Sequence, residues 1–200
     1  MLVRVLISGF EPFLDEKVNP TEKLAHFANS CDFHASGLSR LDVRGVVLPV
    51  VFDAAFERLE SERQLFRPDV VLSFGLAGGR TRFEVEMLAV NSRGGEQTGR
   101  GDNRGQVLGG KVLNSSGAPL SLTTTLPVEK ILAGLESASV PIGRSWTAGT
   151  YVCNDLFYRM QERLRFTRVR SGFIHVPRLD EATFSWPTFE KALLAILRSL

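Results

Sequence analysis

Val70-Val71-Leu72-Ser73-Phe74 is an apolar, largely β-branched run without a charge, and it reads as a short buried strand. Working outward, Phe52, Ala55, Phe56 and Leu59 precede it at the spacing of one helical face, and residues 43–48 precede those as another strand-like run. The alternation continues toward both ends. Residues 3–8 read as a strand that stops at Gly9, and residues 172–176 as a shorter one. Val128, Ile131, Leu132 and Leu135 form a second helical stripe, introduced by Thr125 and Pro127. Phe189, Ala192, Leu193, Ile196, Leu197 and Leu200 form a third, behind Ser185 and Pro187. Strands alternating with amphipathic helices predict an α/β domain whose largely parallel sheet is covered on both faces.

The whole chain bounds what such a domain can be. Its 200 residues fit one domain, residues 1–200, with enough chain to bury a core without disulfides or metals. A net charge of +2 with scattered basic residues argues against a nucleic-acid footprint, which needs a basic face. The longest apolar run, residues 46–52, is too short to span a bilayer, and the first residues lack the basic leader of a signal peptide. Cys31 and Cys153 are the only cysteines, so no disulfide framework is implied and a reduced, cytoplasmic setting is expected. From Asn91 to Gly110 there are seven glycines and few apolar residues, which predicts a long, mobile loop.

Two glycine-rich stretches invite a phosphate reading. Residues 105–111 match most of a P-loop, but Val112 stands where the hydroxyl for Mg²⁺ belongs, and no strand leads in. Gly75-Leu76-Ala77-Gly78-Gly79-Arg80 does follow a strand, yet what comes next, residues 83–91, reads as another strand, so a strand-to-strand crossover is expected there.

Three residues could do chemistry together. Cys153 is followed by Leu156, Phe157, Met160 and Leu164, so it is either a small apolar residue on a buried stripe or the start of a helix. At a helix start, the dipole and unpaired N–H groups favour the thiolate. His175, in Phe173-Ile174-His175-Val176-Pro177, lies at the end of a strand, where open α/β sheets place their sites. His26 and His34 read as surface or packing residues. Glu86 lies on a strand face that turns apolar, and a carboxylate there needs a partner such as an imidazolium. A Cys–His pair oriented by a carboxylate is the usual device for acyl transfer.

At these residues the chain resembles the pyroglutamyl peptidase type I (pyrrolidone carboxyl peptidase) family. Four blocks carry the resemblance in order. They are Ser8-Gly9-Phe10-Glu11-Pro12-Phe13 with Asn19-Pro20-Thr21, and Gly75 to Arg80 with Glu86, Ala89 and Asn91. The others are Ala148-Gly149-Thr150-Tyr151-Val152-Cys153-Asn154 with Leu156-Phe157-Tyr158, and Gly172 to Pro177. The resemblance implies a three-layer α/β/α sandwich of phosphorylase/hydrolase type and a cysteine omega-peptidase. It makes Cys153 the nucleophile, His175 the base and then acid, and Glu86 the residue that orients the imidazole. It places Phe10, Phe13, Asn19, Tyr151 and Val152 at the substrate, an N-terminally pyroglutamyl peptide. It implies no metal or cofactor, no membrane or nucleic-acid partner, and assembly as a dimer or tetramer.

Some positions depart from the family pattern. Leu76 and Val50 stand where many relatives carry Gln and Thr, and residues 92–96 do not align. These changes admit a related amidase with shifted acyl specificity, or a homologue that only binds a ligand. The crossover's Gly78, Gly79 and Arg80 also admit a phosphate-dependent enzyme. Asp155 stands where His is common, in the first turn of the expected helix. There it is expected either to repel the thiolate and raise the cysteine pKa, or to point into solvent and cap the helix.

Overall fold

The computed structural model describes residues 2–94, 101–110, 113, 117–180 and 182–200. Its elements are β1 (Val3–Phe10), α1 (Pro20–Ser30), β2 (Leu41–Leu48), α2 (Ala54–Phe66), β3 (Val70–Leu76), β4 (Phe83–Glu86) and β5 (Leu88–Val90). They continue with β6 (Ser121–Thr123), α3 (Val128–Ser137), β7 (Ile142–Ser145), α4 (Val152–Leu164), β8 (Arg170–Val176) and α5 (Trp186–Arg198). Six strands form the main sheet in the order β2-β1-β3-β8-β4-β7. The four from β2 to β8 are parallel, and β4 reverses direction against β8, with β7 parallel to β4.

Period-two alternation buries both faces of this sheet. Val5 and Ile7 of β1, Val70, Leu72 and Phe74 of β3, and Ile174 and Val176 of β8 pack with α1, α3 and α5. Leu6, Val71 and Phe173, from the same strands, pack with α2 and α4 on the other face. The predicted three-layer α/β/α sandwich with a largely parallel sheet is therefore what the chain forms. The apolar stripes at Ala55, Phe56 and Leu59, at Ile131, Leu132 and Leu135, and along α5 are the buried faces of their helices.

Two details differ from the sequence reading. Residues 83–91 are two strands rather than one. Met87 separates them, its N–H donating to Ser145 O at 2.7 Å and its carbonyl accepting from Thr124 N–H at 3.1 Å. Beyond it, β5 leaves the main sheet and pairs antiparallel with β6 in a second, two-stranded sheet. Of the expected loop at 91–110, residues 95–100 lie outside the described residues. Its later part is docked, not free: Asp102 and Leu108 are buried, and Asn103 N–H donates to Val50 O at 2.9 Å. The turn after Leu76, by contrast, is the expected crossover, carrying the chain from β3 past β8 to β4.

Helix α1 lies closer to the sheet than any side chain would permit. A Cβ on Gly9 of β1 would sit 1.8 Å from Thr21 O, and one on Gly45 of β2 would sit 1.8 Å from Ala25 O. Both obstacles are helix backbone, which cannot swing aside, so a methyl group at either position has to push the helix off the sheet. Gly45→Ala is expected to lower unfolding free energy by about 3 kcal/mol, measured as a reduced urea midpoint. A midpoint equal to that of the parent would show that α1 is not seated this closely.

Candidate active site

Cys153, His175 and Glu86 come together on the α4 side of the sheet. Cys153 is the second residue of α4, whose N-cap is Tyr151, so the helix-start reading of its position holds. Asn154 fixes that helix end from below. It accepts from Val90 N–H at 3.0 Å and donates to Val90 O at 2.9 Å and Ser92 O at 2.7 Å. His175 projects to the same side from β8, where it is paired in register with Gly75 of β3. A Cβ on Gly75 would lie 3.0 Å from Cys153 Sγ and 2.7 Å from the Phe173 ring edge, so the sulfur rests directly on that glycine. The absence of a side chain at residue 75 is thus what lets the thiol reach the sheet beside His175. Of the three histidines, His26 and His34 are exposed and only His175 is buried.

The reversal of β4 supplies the carboxylate. Glu84 lies opposite His175 in the antiparallel ladder, and Glu86 is two residues further on, hence on the same face. Glu86 is 0% exposed, and its Oε1 lies 2.6 Å from His175 Nδ1. A second partner, Arg80, reaches the same oxygen with its NH2 at 2.9 Å. Arg80 also pairs with Glu84, and with both carboxylates engaged it offers no free cation for a phosphate at the crossover.

Two opposing sets of neighbours act on the thiol. Burial and the Glu86 carboxylate push it up to about 12, while its own backbone N–H and Arg80 act in the opposite direction. The helix-start effect expected from the sequence is present, but desolvation outweighs it. With Nδ1 against the Glu86 carboxylate, the His175 imidazole keeps Nε2 as its second ring nitrogen.

Next to Cys153 is a small pocket lined by Phe10, Phe13, Asn19, Val50, Leu76, Tyr151 and Val152. All five positions expected at the substrate are there, and so are the two departures, Val50 and Leu76. Phe13 and Tyr151 face each other with ring centroids 6.4 Å apart. Asn19 is also occupied structurally. Its Oδ1 caps α1 by accepting from Thr21 N–H, and its Nδ2 donates to Glu11 O at 3.0 Å, fixing the chain just after Phe10. Tyr151 donates its hydroxyl to Gly101 O at 3.0 Å, and burial holds that phenol protonated by raising it to about 12. Glu11 ties the same wall together, Oε1 accepting from Val50 N–H at 3.1 Å and Asn103 Nδ2 at 2.8 Å. Among the described residues, no group of acidic, histidine and cysteine side chains could hold a metal.

Asp155 corrects both sequence expectations. It is fully buried rather than solvent-facing. Its carboxylate is engaged with Arg93 Nε at 3.0 Å and Arg159 NH1 at 3.7 Å, as charge contacts rather than aligned hydrogen bonds. The carboxylate that acts on the thiol is Glu86. Arg93 also reaches Asp53 at 3.0 Å, so it links the chain after β5 to the starts of α2 and α4. Arg93 lies in the segment that does not align with the family pattern, and for that reason the sequence did not single it out.

The chain matches the family model for pyroglutamyl peptidase over residues 3–190. The pyrrolidone-carboxylate peptidase of Gloeobacter violaceus is 38% identical over 186 residues, covering 92% of this chain and 86% of the relative. That of Pyrococcus furiosus is 37% identical over 184 residues, covering 90% and 83%. The crystal structure of pyroglutamyl peptidase I from Bacillus amyloliquefaciens superposes with a TM-score of 0.89 at 29% identity, covering 100% of this chain and 95% of that one.

The buried Asp155 generates a stability prediction. Burial, opposed by Arg93 and Arg159, raises its carboxyl to about 6. The folded state thus binds its proton more tightly than the unfolded chain, whose carboxyl titrates near about 4. Its contribution is fully present below about pH 4 and is lost as pH rises through about 6. Two units correspond to about 3 kcal/mol. The Tm of Asp155→Asn, measured relative to the parent, should therefore rise between about pH 4 and 6 and level off above. A Tm difference that stays constant with pH would contradict this burial.

Proposed function

The chain belongs to the pyroglutamyl peptidase family of cysteine peptidases, and on that premise we propose that Cys153, His175 and Glu86 carry the removal of an N-terminal pyroglutamyl residue from peptides. The observation that supports this most is the 2.6 Å contact between His175 Nδ1 and the buried Glu86, on the sheet face against which Cys153 Sγ rests. The carboxylate holds the proton on Nδ1 and leaves Nε2 as acceptor.

In the first half-reaction Cys153 Sγ attacks the pyroglutamyl carbonyl carbon while its proton passes to His175 Nε2. The tetrahedral oxyanion forms at the start of α4. There Tyr151 makes no side-chain cap, and N–H groups at a helix start can serve as oxyanion donors. The C–N bond then breaks, the leaving amine takes the proton from Nε2, and the acyl group remains as a thioester on sulfur. In the second half, His175 takes a proton from water as the oxygen adds to the thioester carbon. The same proton returns to sulfur as pyroglutamate leaves. Glu86 stays ionised throughout and offsets the charge of the transient imidazolium.

The pocket supports a neutral, compact acyl group. Phe10, Phe13, Val50, Leu76 and Val152 supply its apolar walls, and Asn19 and Tyr151 are its polar side chains besides the cysteine. No lining side chain carries a fixed charge, which suits a lactam that lacks the α-ammonium of an ordinary N-terminus. Both cysteines are free, in keeping with a cytoplasmic setting.

Purified protein should hydrolyse a pyroglutamyl fluorogenic amide. Cys153→Ser should abolish that turnover and Cys31→Ser should leave it intact, because Cys31 lies at the far end of α1. Equal loss in both variants would defeat the assignment of the nucleophile. Glu86→Gln should retain more turnover than His175→Ala, since orienting a base contributes less than supplying it. Gly75→Ala inserts a methyl group against Sγ and the Phe173 ring, and should cost about 100-fold in kcat/KM through misplacement of the thiol. Full activity in Gly75→Ala would show that the sulfur is not seated on residue 75.

A further inference from the structure

Arg80 is tied into the site more firmly than a crossover residue needs to be. Its NH2 contacts Glu86 Oε1 at 2.9 Å, the same oxygen that meets His175 Nδ1 at 2.6 Å. NH1 pairs with Glu84, and NH2 also donates to Ser145 Oγ at 3.2 Å and Thr147 O at 3.4 Å. The guanidinium is therefore fixed by β4, by β7 and by the chain after β7, with little freedom to turn. Arg82 takes the other oxygen of Glu84 at 2.9 Å, so Glu84 does not neutralise Arg80 alone.

A positive charge on that particular oxygen has two effects. It lets a completely buried carboxylate remain ionised, which one imidazole partner would do less well. It also favours release of the Cys153 thiol proton, against the opposite pull of Glu86. We propose that Arg80 is a positioning residue that sets the pH range over which the Cys153–His175 pair holds the single proton its chemistry needs.

The proposal rests on the roles proposed above for Cys153 and His175. The charged and titratable groups facing Arg80 are Glu84 and Glu86 on β4, His175 on β8 and Cys153 on α4. Arg178 and Asp180 share a cleft with it. Those two are already engaged, Arg178 with Glu16 and Asp180 with the N–H groups of Ala182 and Thr183. They are thus not the counter-charge on Glu86.

Two readouts in a Cys31→Ser background test this. One is kcat/KM against pH for a pyroglutamyl amide; the other is the rate of iodoacetamide alkylation of Cys153 against pH, which needs no turnover. Removing a nearby cation makes each facing group hold its proton more tightly. Arg80→Gln should therefore move both limbs of the activity profile, and the alkylation profile, upward by about 0.5–1 pH unit. Arg80→Lys keeps the charge, and should keep the profile in place at reduced amplitude. A loss of amplitude in Arg80→Gln without displacement, or an equal displacement in Arg80→Lys, overturns the proposal.

Should Arg80→Gln fail to fold with Glu86 left unpaired, the same change is made in Glu86→Gln, where no buried carboxylate remains at residue 86. The alkylation profile of Glu86→Gln lies below that of the parent. Adding Arg80→Gln should return it upward by a similar 0.5–1 unit, and no return overturns the proposal. An alkylation profile that shifts as expected in a protein that hydrolyses no pyroglutamyl amide would sink the proposed activity and leave this role of Arg80 standing.

Discussion

The constraint on which the site depends is a carboxylate with no access to water. Glu86 is completely buried, and a charge in that position is tolerated only if the structure brings partners to it. The fold does so by reversing one strand. In an all-parallel sheet the chain would return to a distant end before laying down the neighbour of β8. Here a short crossover after β3 sends β4 back antiparallel, so that a carboxylate on β4 and an imidazole on β8 share one face. The same crossover contributes Arg80. One local choice of topology therefore brings Glu86 against His175 and sets Arg80 on the same carboxylate oxygen.

The nucleophile is placed by a different set of contacts. Helix α4 begins at Val152, and its start is held by Asn154 bonding to Val90 and Ser92, so the second small sheet serves as an abutment for the helix end. Gly75 then lets the sulfur come down onto the sheet. The result is a half-buried thiol whose proton the nearby Glu86 carboxylate and partial desolvation favour.

Much of this was legible in the sequence. Strands with both faces buried and three helical stripes identify the α/β sandwich by period alone, because each pattern reflects a surface that must be covered. Cys153, His175 and Glu86 were legible as residue types in suggestive positions, and the family resemblance joined them. What was not legible depended on contacts between distant segments. Ile142-Gly143-Arg144-Ser145 has a single apolar residue, too few to announce β7. The break at Met87 is made by hydrogen bonds to Thr124 and Ser145, far along the chain, so alternation ran straight through it. The environment of Asp155 depends on Arg93, and the balance of effects on the thiol depends on burial, which a one-dimensional pattern does not report.

The central proposal is that the Glu86 contact keeps a proton on His175 Nδ1 and leaves Nε2 as the acceptor. The measurement that reaches it most directly is ¹⁵N NMR of the protein labelled at histidine, read at neutral pH in the absence of substrate, with His175→Ala used to assign the signals. The account predicts a protonated Nδ1, with its proton lost to view or moved in Glu86→Gln, and an unprotonated Nε2. A signal showing Nε2 protonated, as the other tautomer or as an imidazolium standing beside a preformed thiolate, would contradict it.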